Sequence, residues 1–342
     1  MQSNDTRSGL AGRTRMRLLA GAAMLGLVAG FSLVQPAAAQ EVTLRAVTFL
    51  RLDIDESRTF KEWVEAVNKD GKGLVQVRIV GGQEVMNGFE LGNAVKSGVI
   101  DIAQVPPAYH QGLFPGAQAF VAAGKSPVEQ RKNGALDYLN ELYHQMVGSH
   151  ILLSWGYGIP FHLYLGKNVS LDKVRRADLS GLKLRTVPIY KPMFDSLGAT
   201  SVSIAMSELY TAMERGTTDG YGYIANELKG QGWHQVTRYR VDPGFYNTVA
   251  LIMMNWAKLQ SLSEKQRSYL IRKSAEIEAT YQQSTPAETA RQYVLQKAHG
   301  LEVVTLEGDA AKKFSTTARE TAWADVKQKM PAQYERLRKL LE

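Results

Sequence analysis

Short β-branched runs alternate with amphipathic helical windows along most of the chain. Residues 42–49 predict a first strand, and a stripe of large apolar residues at helical spacing follows Ser57, a plausible N-cap. Residues 74–80 and 100–105 predict two further strands, with a helix between them that stops at Gly98. This alternation is typical of an α/β protein, in which helices pack on sheets.

A second set of similar units begins near residue 160, and its clearest strand is predicted at residues 182–187. The longest predicted element begins at a capping box headed by Ser263 and stays helical in composition to His299. At 1.5 Å per residue such a helix is about 50 Å long, so we expect it to run across both sets of units. Pro286 should bend or interrupt it.

The N-terminal 39 residues have the order of a secretory signal peptide. Four arginines precede an apolar stretch at residues 18–34, and three alanines follow it, so cleavage is expected after Ala39. The alternative is a retained membrane anchor, because 17 apolar residues can just span a bilayer. Without this segment the formal charge falls from +8 to +5 on 303 residues. Basic residues are dispersed among acidic ones, so no nucleic-acid surface is predicted.

The composition excludes several kinds of chemistry. The 342 residues contain no cysteine, which removes thiol nucleophiles and thiolate metal sites. No G-x-S-x-G elbow or H-E-x-x-H motif occurs, and the six histidines never fall at metal-ligand spacing. We therefore expect no metal, no cofactor and no catalytic residue, and a binding protein rather than an enzyme. A carboxylate-dependent secreted hydrolase or lyase remains the alternative.

Residues 178–220 resemble the central signature of the solute-binding proteins of TRAP (tripartite ATP-independent periplasmic) transporters, the DctP-type family. The matching features are D-L-S-G-L-K-L-R before a helix, L-G-A-T near its end, and S-E-L-Y-T-A-M-E-R-G followed by D-G. Residues 81–116 resemble the first-lobe block of the family, and residues 256–275 the start of its long helix. The resemblance implies an α/β, two-lobe periplasmic-binding-protein fold with hinge-crossing strands and a long helix that spans both lobes.

The resemblance also implies a function. Such a protein closes on a small organic acid and delivers it to one small and one large integral membrane subunit. A sensor-type binding protein that feeds a membrane receptor is a second alternative. The implied division is a signal peptide (1–39), lobe I (40–159), lobe II (160–246), a return to lobe I with the first part of the long helix (247–285), and the remainder of that helix with C-terminal helices packed on lobe II (286–342).

Arg185 stands where the family arginine binds the carboxylate of the solute. Its guanidinium, at a strand end, offers two parallel donors that suit a carboxylate. The alternative is a surface arginine that caps the next helix or pairs with Asp195. We expect Arg185→Ala to abolish or greatly weaken ligand binding and to leave the fold intact.

The chain departs from the family pattern at two places in the second lobe. Where many members carry a second arginine, this chain has Phe161 or His162, and His162 could donate to an anion or simply be packed. Where members often carry Gln-Glu-Asn after D-G, it has Tyr221, Gly222 and Tyr223. The two tyrosines favour a less polar or ring-containing acid and are the remaining candidates in this lobe.

Candidates in the first lobe follow the predicted strands. Ligands of open α/β sheets bind at the carboxyl ends of strands, which is where these residues fall. They are Arg51, Asp53, Glu84 and Tyr109, and each could equally be a surface residue. Asn247 is a further candidate near the expected return crossing between the lobes.

Overall fold

The computed structural model describes residues 40–54, 57–204, 206–226 and 228–342. The predicted signal peptide and its cleavage site lie outside these residues. Within them, no helix combines the length and the apolar composition needed to cross a membrane.

The described residues form an α/β fold with two separate sheets, as the sequence predicts. The strands are β1 (Val42–Thr48), β2 (Val75–Gly81), β3 (Ile102–Val105), β4 (Ser149–Trp155), β5 (Phe161–Leu165), β6 (Lys183–Thr186), β7 (Thr200–Ser203), β8 (Gly220–Ile224), β9 (Tyr239–Asp242), β10 (Ala250–Asn255) and β11 (Glu302–Thr305). The helices are α1 (Arg58–Asp70), α2 (Leu91–Ser97), α3 (Gln118–Ala122), α4 (Pro127–Lys132), α5 (Ala135–Met146), α6 (Leu171–Val174), α7 (Lys191–Ser196), α8 (Leu209–Glu214), α9 (Trp256–Ser261), α10 (Glu264–Ala298), α11 (Gly308–Lys329) and α12 (Tyr334–Leu341).

Each sheet forms the centre of one lobe. The lobe I sheet has the order β2-β1-β3-β10-β4, in which β1 is parallel to β2 and β3, and β10 is antiparallel to both its neighbours. The lobe II sheet has the order β11-β9-β5-β8-β6-β7, with β5 antiparallel to β8 and β9. Apolar clusters cover both faces of each sheet, which is why strands such as β3 and β10 are buried along their whole length.

Two neighbouring segments carry the chain between the lobes. The chain leaves β4 for β5 and returns from β9 to β10, and the two crossings pair through a bridge between Pro160 and Asn247. The amide of Phe161 donates to the carbonyl of Tyr246 at 2.8 Å. Gly156 at the first crossing has φ +102°, and a Cβ there would lie 2.7 Å from the carbonyl oxygen of Thr248. Only glycine therefore allows the two crossings to approach this closely.

Helix α10 contacts both lobes, as the resemblance implies. In its first half, Ser274 accepts a hydrogen bond from the indole of Trp63 in α1 at 3.1 Å. Near its end, Gln296 accepts from Arg240 of β9 at 2.9 Å. The expected interruption at Pro286 is wrong, because one helix of 35 residues runs through it. Hydrogen bonds to both lobes hold the two halves on either side of the proline, which offsets its missing N–H donor.

The expectation that the C-terminal helices pack on lobe II is wrong for α12. Helix α11 packs on α3 and on α7, so it lies against both lobes. Helix α12 packs on α3 and α5, and its Leu337 and Leu341 belong to the apolar core of lobe I. The apolar stripe of α12 therefore packs on lobe I.

Candidate functional site

A cavity of about 1150 Å³ lies between the two lobes. Its lobe I wall comes from the segments that follow β1, β2 and β3, and its lobe II wall from the ends of β6 and β8, so it lies at the carboxyl ends of parallel strands. Its lining includes Phe49, Arg51, Asp53, Glu84, Phe89, Tyr109, Phe161, Arg185, Val187, Ile189, Tyr190, Tyr223 and Thr248.

Arg185 is a buried cation in the lobe II wall. It is 6% exposed, and its Nε donates to the carbonyl of Ile204 at 3.2 Å. Its Nη1 donates to the hydroxyl of Tyr190 at 3.0 Å. No acidic side chain of the described residues lies within ion-pair distance of its guanidinium. Burying a charge without a counter-ion is costly, so the site favours an anion.

Tyr190 positions this guanidinium. Its ring is 1% exposed, and its hydroxyl donates to the carbonyl of Gly222 at 2.7 Å while it accepts from Arg185. Burial raises the pKa of Tyr190, with the positive charge of Arg185 acting in the opposite direction, so the phenol stays a neutral donor. A Cβ at Gly222 would lie 2.8 Å from the Tyr190 ring. The glycine therefore makes room for the residue that orients Arg185.

The alternative partner of Arg185 is occupied elsewhere. Asp195 of α7 forms an ion pair with Lys191, one turn earlier in the same helix, and accepts a hydrogen bond from Ser201. This leaves Arg185 to the cavity.

Three aromatic rings form the lobe I wall opposite Arg185. Phe89 stacks on Tyr109 with ring centroids 4.4 Å apart, and Phe49 meets Tyr109 edge-on at 5.6 Å. Burial raises the pKa of Tyr109, and the positive charge of Arg185 opposes this shift, so the phenol stays neutral. The Tyr109 hydroxyl has no hydrogen-bond partner within the described residues, so it is available to a ligand.

The charged residues of the lobe I rim all have partners on their own segments. Arg51 pairs with Asp53 through two hydrogen bonds, and their side chains are 57% and 64% exposed. Glu84 accepts a hydrogen bond from the amide of Gly82 at 2.7 Å. These residues line the cavity, but their charges are balanced or solvated, unlike that of Arg185.

Comparison with known proteins agrees with this arrangement. The model of bacterial extracellular solute-binding protein family 7 matches residues 53–329. The chain belongs to this family, which confirms the TRAP resemblance.

Individual relatives are distant. A solute-binding protein from Albidiferax ferrireducens is 23% identical over 280 residues, which cover 78% of this chain and 80% of that protein. Among solved structures, a Bordetella pertussis extracytoplasmic solute receptor binding pyroglutamic acid has a TM-score of 0.74 at 16% identity, over 88% of this chain and 99% of that one. A marine metagenome TRAP protein specific for aromatic acid ligands has a TM-score of 0.72 at 22% identity, over 89% and 97% of the two chains. These structures establish the shared fold.

Of Phe161 and His162, the two candidates for the position of the second family arginine, Phe161 lines the cavity. Neighbouring side chains of a strand point to opposite faces, so only one of Phe161 and His162 can point toward Tyr190. Phe161 does so, with ring centroids 5.9 Å apart. His162 is 1% exposed on the face covered by α10, where it bonds the hydroxyl of Tyr293 at 2.8 Å and lies 3.0 Å from Asp242. The structure therefore does not bring His162 to the site.

Two further candidates also lie away from the cavity. Tyr221 lies two residues before Tyr223 in β8 and is fully buried, and its hydroxyl is 2.7 Å from that of Thr237. Asn247 accepts from the amide of Gly158 at 3.1 Å, so it holds the two crossing segments together. Tyr223 does line the cavity, against Trp233 with centroids 4.7 Å apart.

Sequence reasoning missed three lining residues that carry much of the site. They are Tyr190, Phe89 and Thr248. Phe89 lies inside the first-lobe block, three residues before the end of its G-G-Q-E-V-M-N-G-F-E-L-G run, and that resemblance was the available signal. The Thr248 hydroxyl is buried and unpartnered within the described residues, which only the structure reveals.

Proposed function

We propose that this protein binds a small organic acid between its lobes and delivers it to the two integral membrane subunits of a TRAP transporter. It binds without turning its ligand over. The observation that carries the proposal is Arg185, a 6% exposed guanidinium at the cavity with no acidic partner in the described chain. A carboxylate supplies the missing charge and matches the planar donors of arginine.

Binding selects the closed arrangement of the lobes. Arg185 belongs to lobe II and Tyr109 to lobe I, so a ligand that contacts both gains its full set of interactions only when the lobes close. Closure also removes water from the ion pair, which strengthens it. The paired crossing segments and α10 are the connections about which this movement occurs.

The same proposal includes export. The basic, apolar and small-residue order of residues 1–39 supports cleavage after Ala39 and a periplasmic location. Mass spectrometry of the protein recovered from the periplasm tests this: a chain that begins at Gln40 supports it, and an uncleaved chain refutes it.

The binding site is tested by two arginine variants of the periplasmic protein. Calorimetric titration first identifies a bound acid from a panel of aliphatic, hydroxylated, keto and aromatic carboxylates. Arg185→Ala should weaken its binding at least a hundredfold, because a buried charge-assisted pair is lost. Arg51→Ala is the matched control: it lines the same cavity but is exposed and paired with Asp53, so its effect should stay within about threefold.

The proposal also has clear ways to fail. An unchanged dissociation constant in Arg185→Ala removes this residue from the site. A panel in which no carboxylate binds, while a sugar or an amine does, overturns the organic-acid assignment.

A further inference from the structure

Among the described residues that line the cavity, one cation, Arg185, has no acidic partner. Its charged lining residues are Arg51, Asp53, Glu84 and Arg185, and Arg51 is already paired with Asp53. A second carboxylate on the ligand would therefore meet no free positive charge among the described lining residues and would lie near two acidic ones. This balance favours a ligand with a single carboxylate.

The surroundings of Arg185 are apolar and aromatic. Phe161, Tyr190, Val187 and Ile189 line the cavity on its side, and the hydroxyl of Tyr190 is already used twice. Hydroxyls next to the carboxylate of a sugar acid held at Arg185 would face these mostly apolar side chains, where few groups can bond them, and leaving buried hydroxyls unbonded is costly. The acid is therefore expected to carry an apolar body.

Phe89 offers a ring face for that body. Its ring stacks on Tyr109 at 4.4 Å, yet the residue remains 60% exposed at the cavity wall. A Cβ at Gly88 would lie 2.9 Å from the Tyr109 ring, so this glycine allows the tyrosine to pack beneath the Phe89 segment. A flat ligand ring can extend this stack, because aromatic rings favour offset-stacked contacts.

We propose that the ligand is a monocarboxylic acid with an aromatic ring, its carboxylate held between Arg185 and Tyr109 and its ring stacked on Phe89. This inference rests on the proposed function, since it identifies the chemical class of the acid. Tyr109 provides the second donor in place of the second family arginine, and it does so from the opposite lobe.

Benzoate and cyclohexanecarboxylate are the matched probes, because they share the charge and the ring size and differ in aromaticity. Gluconate and malonate represent the sugar acids and the dicarboxylates. Calorimetric titration of the periplasmic protein should give benzoate the highest affinity, about threefold or more above cyclohexanecarboxylate. Gluconate and malonate should bind at least tenfold more weakly than benzoate.

Two variants then separate the ring from the carboxylate. Phe89→Leu should weaken benzoate roughly three- to tenfold and cyclohexanecarboxylate less than about twofold, because only the stacking is lost. Tyr109→Phe keeps the ring and removes the hydroxyl, so both acids should weaken alike, by about tenfold. Circular dichroism and melting of each variant report that the fold is retained.

The titrations separate failure of the aromatic assignment from failure of the organic-acid assignment. If gluconate or malonate binds best and Arg185→Ala still abolishes binding, the aromatic assignment is overturned and the proposed function stands. Equal losses of both ring acids in Phe89→Leu likewise refute stacking. If none of the four acids binds and the wider carboxylate panel is also silent, both proposals fall.

Discussion

Gly222→Ala should disturb both stability and ligand binding through one contact. The added Cβ would lie 2.8, 3.0 and 3.2 Å from three carbon atoms of the Tyr190 ring. Carbon atoms pack best at about 3.5–4.0 Å, so the ring must move by roughly 0.7 Å. Tyr190 is 1% exposed between Phe161, Phe194 and Phe245, which leaves little room for that movement.

The magnitude follows from overpacking and from one lost hydrogen bond. Forcing a methyl group into a packed core costs about 1–3 kcal/mol. At about 2–4 °C per kcal/mol for a large domain, the melting temperature should fall by roughly 2–12 °C. Displacing the Tyr190 hydroxyl also breaks its 3.0 Å hydrogen bond with Arg185 Nη1. The guanidinium is then less firmly positioned, so the acid should bind about tenfold more weakly.

Thermal melting and calorimetric titration of the periplasmic protein measure both effects. Gly112→Ala is the matched control, because a Cβ there meets nothing within 4 Å and needs no unusual backbone angle. In the double variant with Tyr190→Leu, the cost of the alanine should shrink, since the ring it strikes is gone. If Gly222→Ala melts and binds as Gly112→Ala does, the positioning role of Tyr190 is refuted.

Two further predictions concern the attachment of α10 and lobe II. Glu278 is 2% exposed, pairs with Arg131 of α4 and accepts a hydrogen bond from the amide of Ser154. Urea unfolding of Glu278→Ala should therefore give a free energy of unfolding about 3–5 kcal/mol lower, because a buried charge loses its partner. The control is Glu62→Ala, which breaks an exposed pair and should lower it by less than about 1 kcal/mol. A similar cost for both would contradict the reasoning. Partial burial alone would raise the pKa of Asp242. Hydrogen bonds from His162 and Arg240 outweigh this effect and lower that pKa from 3.8 to about 2. This group therefore stabilises the fold above pH 4, and roughly 2 kcal/mol is lost as the pH falls from 4 to 2; Asp242→Asn should be less stable at pH 7 and lose less over that interval.

The periodic parts of the fold could be predicted from the sequence, and the exceptions have tertiary causes. The strand at residues 42–49 and the apolar stripe after Ser57 appear as β1 and α1, because burial of one face determines both patterns. Pro286 predicts a break that long-range contacts of α10 override. The position of α12 could not be predicted, since an amphipathic helix shows that it packs without showing on what.

The candidate site divides in the same way. The motif predicts Arg185 but does not exclude an ion pair between Arg185 and Asp195. The structure excludes this pair, because Asp195 is bound to Lys191 and Ser201. The choice between Phe161 and His162 depends on a single step of strand register, and a shift by one residue exchanges the two faces. Tyr190 needs the pairing of β6 with β8, which brings Gly222 beneath its ring from 32 residues away. Each unpredicted feature is thus a relation between two strands rather than a property of one. The proposed carboxylate site depends on such a relation too, because the pairing of β6 and β8 positions Tyr190, which holds the Arg185 guanidinium, and no acidic side chain of the described residues pairs with it.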